Sequence, residues 1–521
     1  MRRLFDRQVL AAVGLGACSV LAWAPVHWAP LLSGTLALLY WLIGADLSPR
    51  RAIVVGLAFG LGLFLFGVSW VYISLSLFGG MPAVFAAIST LCFCLLLAGF
   101  PALALTTYVR LRTVSGWKNV LLFAALMGLA DWLRGWVFTG FPWLALGYTQ
   151  TPGGLAPLQA YAPLIGVYGV SVLVALIGAL VGELLRSFWG WRKAKVALSE
   201  IFCGRKGGLA GFWGPLAAMA VLFIGGRLLE RQEWTQVVGE PINVALLQGN
   251  IEQGIKWDPD RFEDTLRAYH DLALRHPAQL TVLPETALPA FYDQLPDNYL
   301  RALKQLARRE KDNNGQGGNI VIGSVLGNNT RYTNSVISLG AAPEQRYDKA
   351  HLVPFGEYPP PGFVWFMRGL RIPMSGFAAG AAGQPPFDLS GQRVAFNICY
   401  EDVFGEEIAM TAPAATILVN VSNTAWFGRS WAQPQHLQIA QMRALETGRP
   451  MLRATNTGMT AAILPNGTVQ GVLPPFTRGA LVVEVQGRHG ETPYVRFGNT
   501  VALLLIVLFS LPALVSRWKS R

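Results

Sequence analysis

The apolar residues of this chain follow two different rhythms. A window near the ~20 residues that a helix needs to cross a bilayer places apolar spans at about 8–25, 28–45, 52–77, 83–109, 119–138, 163–185, 209–226 and 499–516, eight in all. Between the last two lies a block, 229–498, with no such run. There the apolar residues form short stretches: Ile242 to Gln248 and Leu280 to Leu283 predict strands, as do 319–325, 334–339, 393–399, 416–421, 459–464 and 481–485. Arg261 to Arg275 instead carries apolar residues at helical spacing. Many short strands with interspersed helices predict a layered α/β sandwich. The expected organisation is an integral membrane α-helical bundle of seven helices in 1–228, an α/β domain in 229–498, and an eighth transmembrane helix with a short tail in 499–521.

Composition agrees, since 52% apolar and 14% charged residues are far from the balance of a soluble globular chain. Loop charges orient the spans. Arg2, Arg3 and Arg7, Arg50 and Arg51, Arg110, Arg112 and Lys118, the cluster from Arg186 to Lys206, and Arg517, Lys519 and Arg521 all fall on one side, whereas the connections 25–28, 78–82 and 139–162 hold no Lys or Arg. By the positive-inside rule both termini are expected in the cytoplasm and the block 229–498 outside it, in a bacterium the periplasm. Those positive-side segments carry a surplus of 14 charges out of a net +12, so the rest of the chain is near −2. The basic balance is a topology signal and gives a nucleic-acid partner no footing.

Within the spans, Asp131 and Arg134 stand three residues apart on one helix face, able to neutralise each other or, for Arg134, to meet a lipid headgroup. The uncharged aromatic loop 139–162 is expected at the outer membrane interface. Arg2-Arg3 followed by an apolar stretch and Cys18 has the look of a secretory signal, but an uncleaved first helix is the expectation. Cys18, Cys92, Cys94 and Cys203 then read as small apolar fillers.

Cys399 is different. It is the only cysteine of the outward block, so it has no disulfide partner in an oxidising compartment, and it stands where an apolar run breaks into polar residues. A thiol near its reference pKa of ~8.5 is mostly protonated at neutral pH and needs a base. Glu285, in Leu283-Pro-Glu-Thr286, supplies a carboxylate; Lys349, in Tyr347-Asp-Lys-Ala-His351, supplies an ammonium able to stabilise the oxyanion formed when a thiol attacks an ester or amide. The six histidines show no metal-ligand spacing, so no metal is expected. No Gly-x-Ser-x-Gly elbow occurs, and Gly315 to Gly318 lacks the strand-turn-helix context of a phosphate loop.

Taken with the phrases Gln248-Gly-Asn-Ile251, Lys256-Trp-Asp-Pro259, Lys349 through Tyr358 and Cys399-Tyr-Glu-Asp402, these motifs resemble the nitrilase, or carbon–nitrogen hydrolase, superfamily. End to end, the chain resembles the bacterial apolipoprotein N-acyltransferases. The resemblance implies a nitrilase-like α-β-β-α sandwich with a Glu-Lys-Cys triad: Cys399 as nucleophile, Glu285 as general base, Lys349 as oxyanion cation, the Tyr400 backbone N–H completing the oxyanion hole, Glu357 orienting Lys349, and Glu401 as a supporting carboxylate. Trp257 and Asn423 are expected to line the pocket. Trp365, Phe366, Arg368 and Arg371 would form a lip dipping into the membrane, or else a helix of the domain core, with Trp426 on the opposite wall.

The implied reaction passes an acyl chain from a phospholipid, expected to be phosphatidylethanolamine, through a Cys399 thioester to the α-amine of a diacylglyceryl apolipoprotein, with no cofactor. The localisation implied is a bacterial inner membrane. Two rivals stay open at this stage: a membrane-tethered amidase or nitrilase with water as acceptor, and a transporter with a regulatory outer domain.

Overall fold

A computed structural model describes residues 6–44, 46–193, 208–310, 315, 317–328, 330–367 and 376–519. The chain divides into two compact units, one formed by Met1–Ser69, Ile88–Glu233 and Phe497–Arg521, the other by Trp70–Ala87 and Trp234–Arg496.

The first unit is built from helices Arg7–Ser19, Ala29–Leu42, Pro49–Gly67, Ala83–Leu111, Gly116–Arg134, Ala162–Lys193, Gly208–Leu229 and Thr500–Lys519. Among the described residues, the stretches Pro49–Gly67, Ala83–Leu111, Gln159–Trp189 and Thr500–Lys519 are long and apolar enough to cross a membrane, with shorter apolar helices at Arg7–Ala22, Ala29–Leu42 and Trp213–Leu229. The remaining helix, Gly116–Arg134, is diluted by Lys118, Asp131 and Arg134. The expected span 52–77 is corrected: its helix ends at Gly67, and the stretch Trp70–Ala87 belongs to the second unit. Helices 7–19 and 49–67 approach through glycines. A Cβ on Gly16 would lie 2.0 Å from the Phe59 carbonyl oxygen, and one on Gly62 would lie 2.2 Å from that of Val13. Such small-residue contacts let apolar helices pack where no hydrophobic effect separates protein from lipid.

A second correction concerns the loop 139–162, whose stretch 142–151 is buried inside this unit, with Trp143, Leu144 and Tyr148 almost fully covered. A buried loop must have its backbone groups satisfied, and the Asp131–Arg134 pair, 2.9 Å apart, does this. Arg134 donates to the carbonyls of Phe141 at 2.7 Å and Trp143 at 2.5 Å, and Asp131 accepts the Leu146 N–H at 2.7 Å. The pair is a structural staple. Cys94 is a buried filler as expected, but Cys18 and Cys92 are exposed; Cys203 lies outside the described residues.

The second unit holds fourteen strands among its described residues: β1 (Gln236–Val237), β2 (Ile242–Gln248), β3 (Leu280–Val282), β4 (Asn319–Asn328), β5 (Arg331–Gly340), β6 (Arg346–Asp348), β7 (Phe387–Leu389), β8 (Gln392–Ile398), β9 (Ile417–Ser422), β10 (Met451–Thr455), β11 (Ala461–Ile463), β12 (Val469–Val472), β13 (Gly479–Val485) and β14 (Arg488–His489). One six-stranded sheet runs β13-β2-β3-β4-β5-β6, the other β12-β11-β10-β9-β8-β7. In each, the central three strands (β2-β3-β4 and β8-β9-β10) are parallel.

Strand alternation separates the layers. Val244, Leu246, Val282 and Val321 meet Phe396, Ile398, Val419 and Val421 in the core between the sheets. The alternate residues Ala245 and Leu247 face helices Phe262–Arg275 and Asp297–Ala307, while Ala395 and Leu418 face Ala432–Thr447. The result is the four-layered α-β-β-α sandwich, in which each fully buried large aliphatic side chain contributes about 1.5–3 kcal/mol. β1 pairs with β14, bringing the two ends of this unit together.

Candidate active site

In open parallel sheets the carboxyl ends of the strands are where side chains converge on a ligand, and here they deliver the candidate residues. Lys256 follows β2, Glu285 follows β3, Lys349 follows β6, Cys399 follows β8 and Asn423 follows β9. Cys399 is the first residue past its strand, not the last within it. It adopts φ +54°, a left-handed conformation that costs a residue with a Cβ about 1–2 kcal/mol. That bend turns β8 into the short turn Cys399–Val403 and leaves the thiol 9% exposed at the edge of the inter-sheet core.

Glu285 and Lys349 are 6% and 1% exposed. The Lys349 ammonium lies 2.9 Å from Glu357 Oε1 and 3.4 Å from Glu285 Oε1. Asn334 on β5, which the sequence reading missed, donates to both carboxylates through Nδ2, at 2.7 Å to Glu285 and 3.0 Å to Glu357. The second oxygen of Glu285 accepts the Asn423 backbone N–H at 2.6 Å, and that of Glu357 accepts the Val353 N–H at 2.8 Å. Each carboxylate is thus held at both oxygens.

Electrostatics follow from this packing. Burial alone would push the Glu285 carboxyl up, but the Lys349 ammonium, the Asn334 and Asn423 hydrogen bonds and Lys256 hold it below its ordinary value. Burial works against charge on Lys349, yet Glu357, Glu285 and Cys399 together raise it. The Cys399 thiol is pushed well up, first by burial and then by the facing Glu285 carboxylate, with Lys349 only partly compensating. The resting state is therefore a thiol beside a carboxylate. Such a pair can pass its proton only as the sulfur bonds to an electrophilic carbon, when the negative charge moves from sulfur to the incoming oxygen.

Glu401 clamps the chain that carries Lys349 to the chain that carries Cys399. Its Oε1 accepts the backbone N–H of Ala350 at 2.6 Å and of His351 at 3.0 Å; its Oε2 accepts the Ile398 N–H at 2.6 Å and the Tyr347 hydroxyl at 2.8 Å. Burial raises its pKa to about 7, against these donors and Lys349. Tyr400 is buried, its ring near His351 and Phe404, the latter stacked on His351 at 3.6 Å. Behind the Cys399–Val403 turn, Asp402 accepts from His436 at 2.7 Å and from Arg453, all three fully buried. This ionic support had no motif to announce it.

The remaining candidates are less uniform. Asn423 serves Glu285 with its backbone, while its side chain is engaged with Gln253 at 2.8 Å and Asn456 at 3.1 Å. Trp257 is half-buried in the loop after β2. Trp426 is half-buried, with Phe78 edge-on at 5.8 Å, and the Ser74 hydroxyl donates to its carbonyl at 2.8 Å. Trp365 sits in the four-residue helix Val364–Met367 and is 70% exposed, so that helix is not a core element of the domain. Phe366 is in the same helix, its side chain not described, and Arg368 and Arg371 lie outside the described residues. Among the described residues no cluster of three or more His, Cys, Asp or Glu could hold a metal ion.

Comparison with known proteins covers both units. Residues 15–180 match the family model described as the apolipoprotein N-acyltransferase N-terminal domain, and residues 243–494 match that of carbon-nitrogen hydrolase. Over 520 residues the chain is 44% identical to the apolipoprotein N-acyltransferase of Nitrosomonas europaea, covering 99% of this chain and 98% of the relative. It is also 44% identical to that of Ralstonia nicotianae, covering 99% and 95%, and 42% identical to that of Chromobacterium violaceum, covering 98% and 94%.

Proposed function

Because the chain belongs to the apolipoprotein N-acyltransferase family, we propose that it moves an acyl chain from a phospholipid to the α-amine of an apolipoprotein's diacylglyceryl-cysteine by way of a thioester on Cys399. The observation that carries this reading is the left-handed bend at Cys399, which holds a buried thiol at a strand end in the field of Glu285, Lys349 and Glu357.

In the first half-reaction Cys399 Sγ attacks the sn-1 ester carbonyl, with phosphatidylethanolamine as the donor. Its proton passes to Glu285 as the carbon–sulfur bond forms, and Lys349 with the Tyr400 N–H steadies the oxyanion. Collapse expels the lysophospholipid alkoxide, which takes the proton back from Glu285. In the second, the neutral α-amine attacks the thioester, Glu285 accepts its proton, and the sulfur leaves to be reprotonated as the thiol. An α-amine with a reference pKa of about 7.7–8 has a useful neutral fraction near pH 7. Glu357 orients Lys349, and Glu401 keeps the lysine chain and the cysteine turn in register. Trp257, Asn423, Trp365, Phe366, Arg368 and Trp426 would line the lipid route.

Eight helices crossing a bacterial inner membrane, with both termini cytoplasmic and the domain periplasmic, accord with the one-sided Lys and Arg distribution. Apolar helices precede and follow the sandwich in the sequence, as expected of a domain whose substrates are both held in the membrane by acyl chains. The amidase and transporter readings lose ground because relatives of one kind match along nearly the whole chain. The test is reconstitution with phosphatidylethanolamine and a diacylglyceryl lipopeptide. N-acylated lipopeptide is expected from the wild type and none from Cys399→Ser; release of free fatty acid without amine acylation would favour the amidase.

A further inference from the structure

Lys256 is a buried cation that helps to hold the Glu285 carboxyl low but has no step in the reaction above. It stands in a loop whose neighbours Gly254 and Ile255 are exposed, yet it is itself only 2% exposed, because its side chain runs inward. Its Nζ donates to Thr286 Oγ1 at 2.7 Å and approaches the Glu285 carbonyl oxygen at 3.4 Å. Thr286 adopts φ +43°, an uncomfortable conformation for a β-branched residue that persists only when its surroundings impose it. Two lysines thus hold the general-base segment: Lys349 on the carboxylate, Lys256 on the backbone and on the next side chain.

We propose that Lys256 is a positioning residue: its ammonium pins the strained Glu285–Thr286 bend and so fixes the Glu285 carboxylate against Cys399. The inference rests on the acyl-transfer reading and deepens it, because it makes the first half-reaction depend on a further ionisable group outside the Glu-Lys-Cys set. A buried ammonium donates where a neutral amine does not do so equally well, so the pin is charge-dependent. The titratable groups that couple to Lys256 are Glu285, after β3, and Cys399, after β8; burial outweighs both and lowers the Lys256 pKa to about 8. A lysine lowered in this way is charged below about pH 8 and neutral above it. Thioester formation should therefore weaken as pH rises through about 8, whereas Lys349, whose pKa is raised, stays charged there.

The experiment follows charging alone, with phospholipid and no amine acceptor, by intact mass from pH 6 to 10. Wild type is expected to show an alkaline fall near pH 8. Lys256→Met should charge about 100-fold more slowly, the scale expected when a reacting group is misplaced, and lose that fall. Lys256→Arg should recover much of the rate and carry it to higher pH, and Thr286→Val should slow charging through loss of the 2.7 Å partner. Wild-type rates and pH dependence in Lys256→Met and Thr286→Val would overturn the proposal. So would a loss in Lys256→Met that is the same factor at every pH, leaving the alkaline fall in place, and that Arg does not rescue, which marks a purely structural lysine. Absence of any adduct in the wild type would instead refute the thioester reading itself, so failure of that reading shows in the wild type and failure of the Lys256 proposal shows only in the variants.

Discussion

Glu401 offers the sharpest perturbation, because its contribution can be counted donor by donor. Two backbone N–H groups face one of its oxygens, and a third N–H and the Tyr347 hydroxyl face the other. In Glu401→Gln one oxygen becomes an NH₂ group and sets donor against donor at one of those pairs. Two buried donors left without an acceptor cost about 1–3 kcal/mol each, so roughly 2–6 kcal/mol is lost from the register between Lys349 and Cys399. At ~1.4 kcal/mol per tenfold in rate, charging should slow by about 30-fold to 10⁴-fold. Tyr347→Phe removes one donor and leaves none opposed, so about 1 kcal/mol and about fivefold are expected.

The same carboxylate predicts a pH dependence. With its pKa raised to about 7, Glu401 gains a proton as pH falls through neutrality and loses an acceptor site, so charging should decline on that acid side. Linkage has the opposite sign. A carboxyl that binds its proton more tightly when folded contributes stability at low pH that is lost as pH rises from its ordinary 4.5 toward 7. A rate that rises over that interval therefore reports the site and not unfolding. The assay is stopped-time intact mass for charging, together with amide hydrogen exchange over 347–351 and 398–403. Wild-type charging and unchanged exchange in Glu401→Gln would refute the clamp.

Three further perturbations follow from the same geometry. Lys349→Met leaves the buried Glu285 and Glu357 carboxylates without the ammonium between them and removes the oxyanion cation, so charging should drop by about 10³-fold or more; a change under tenfold would contradict the assigned charge balance. Asn334→Leu removes the amide shared by both carboxylates, two charge-assisted bonds of about 1.5–3 kcal/mol each, and should slow charging by about 10²-fold with the thermal midpoint of the domain lowered. Asp402→Leu strands Arg453 in the core at about 3–5 kcal/mol, detectable as accelerated proteolysis of the sandwich; protection equal to wild type would show the Asp402–His436–Arg453 cluster to be dispensable.

What the sequence made legible was what periodicity and motif can carry. β2 appears where its apolar run predicts it, and Cys399, Glu285 and Lys349 all fall at strand ends. Periodicity could not show that Cys399 bends into the left-handed region, since nothing in a cysteine's chemistry asks for positive φ. The apolar pattern does not predict β10, because Arg453 and Thr455 interrupt it; only the buried Asp402 explains an arginine there. Lys256 stands in a recognisable phrase, but its role and that of Asn334 are not legible, because each acts through hydrogen bonds to residues far away in sequence. The loop 139–162 reads as interfacial by composition, and its burial depends on carbonyl and amide partners that Asp131 and Arg134 supply from one helix turn.

Acyl transfer through Cys399 requires a covalent bond to one sulfur. Purified protein incubated with phosphatidylethanolamine and no acceptor, digested and analysed by peptide mass, should carry one acyl group on the peptide containing Cys399, removable by hydroxylamine and discharged by a diacylglyceryl lipopeptide. Amine acylation that proceeds normally with that peptide unmodified throughout, or with the acyl group on any other residue, would contradict it.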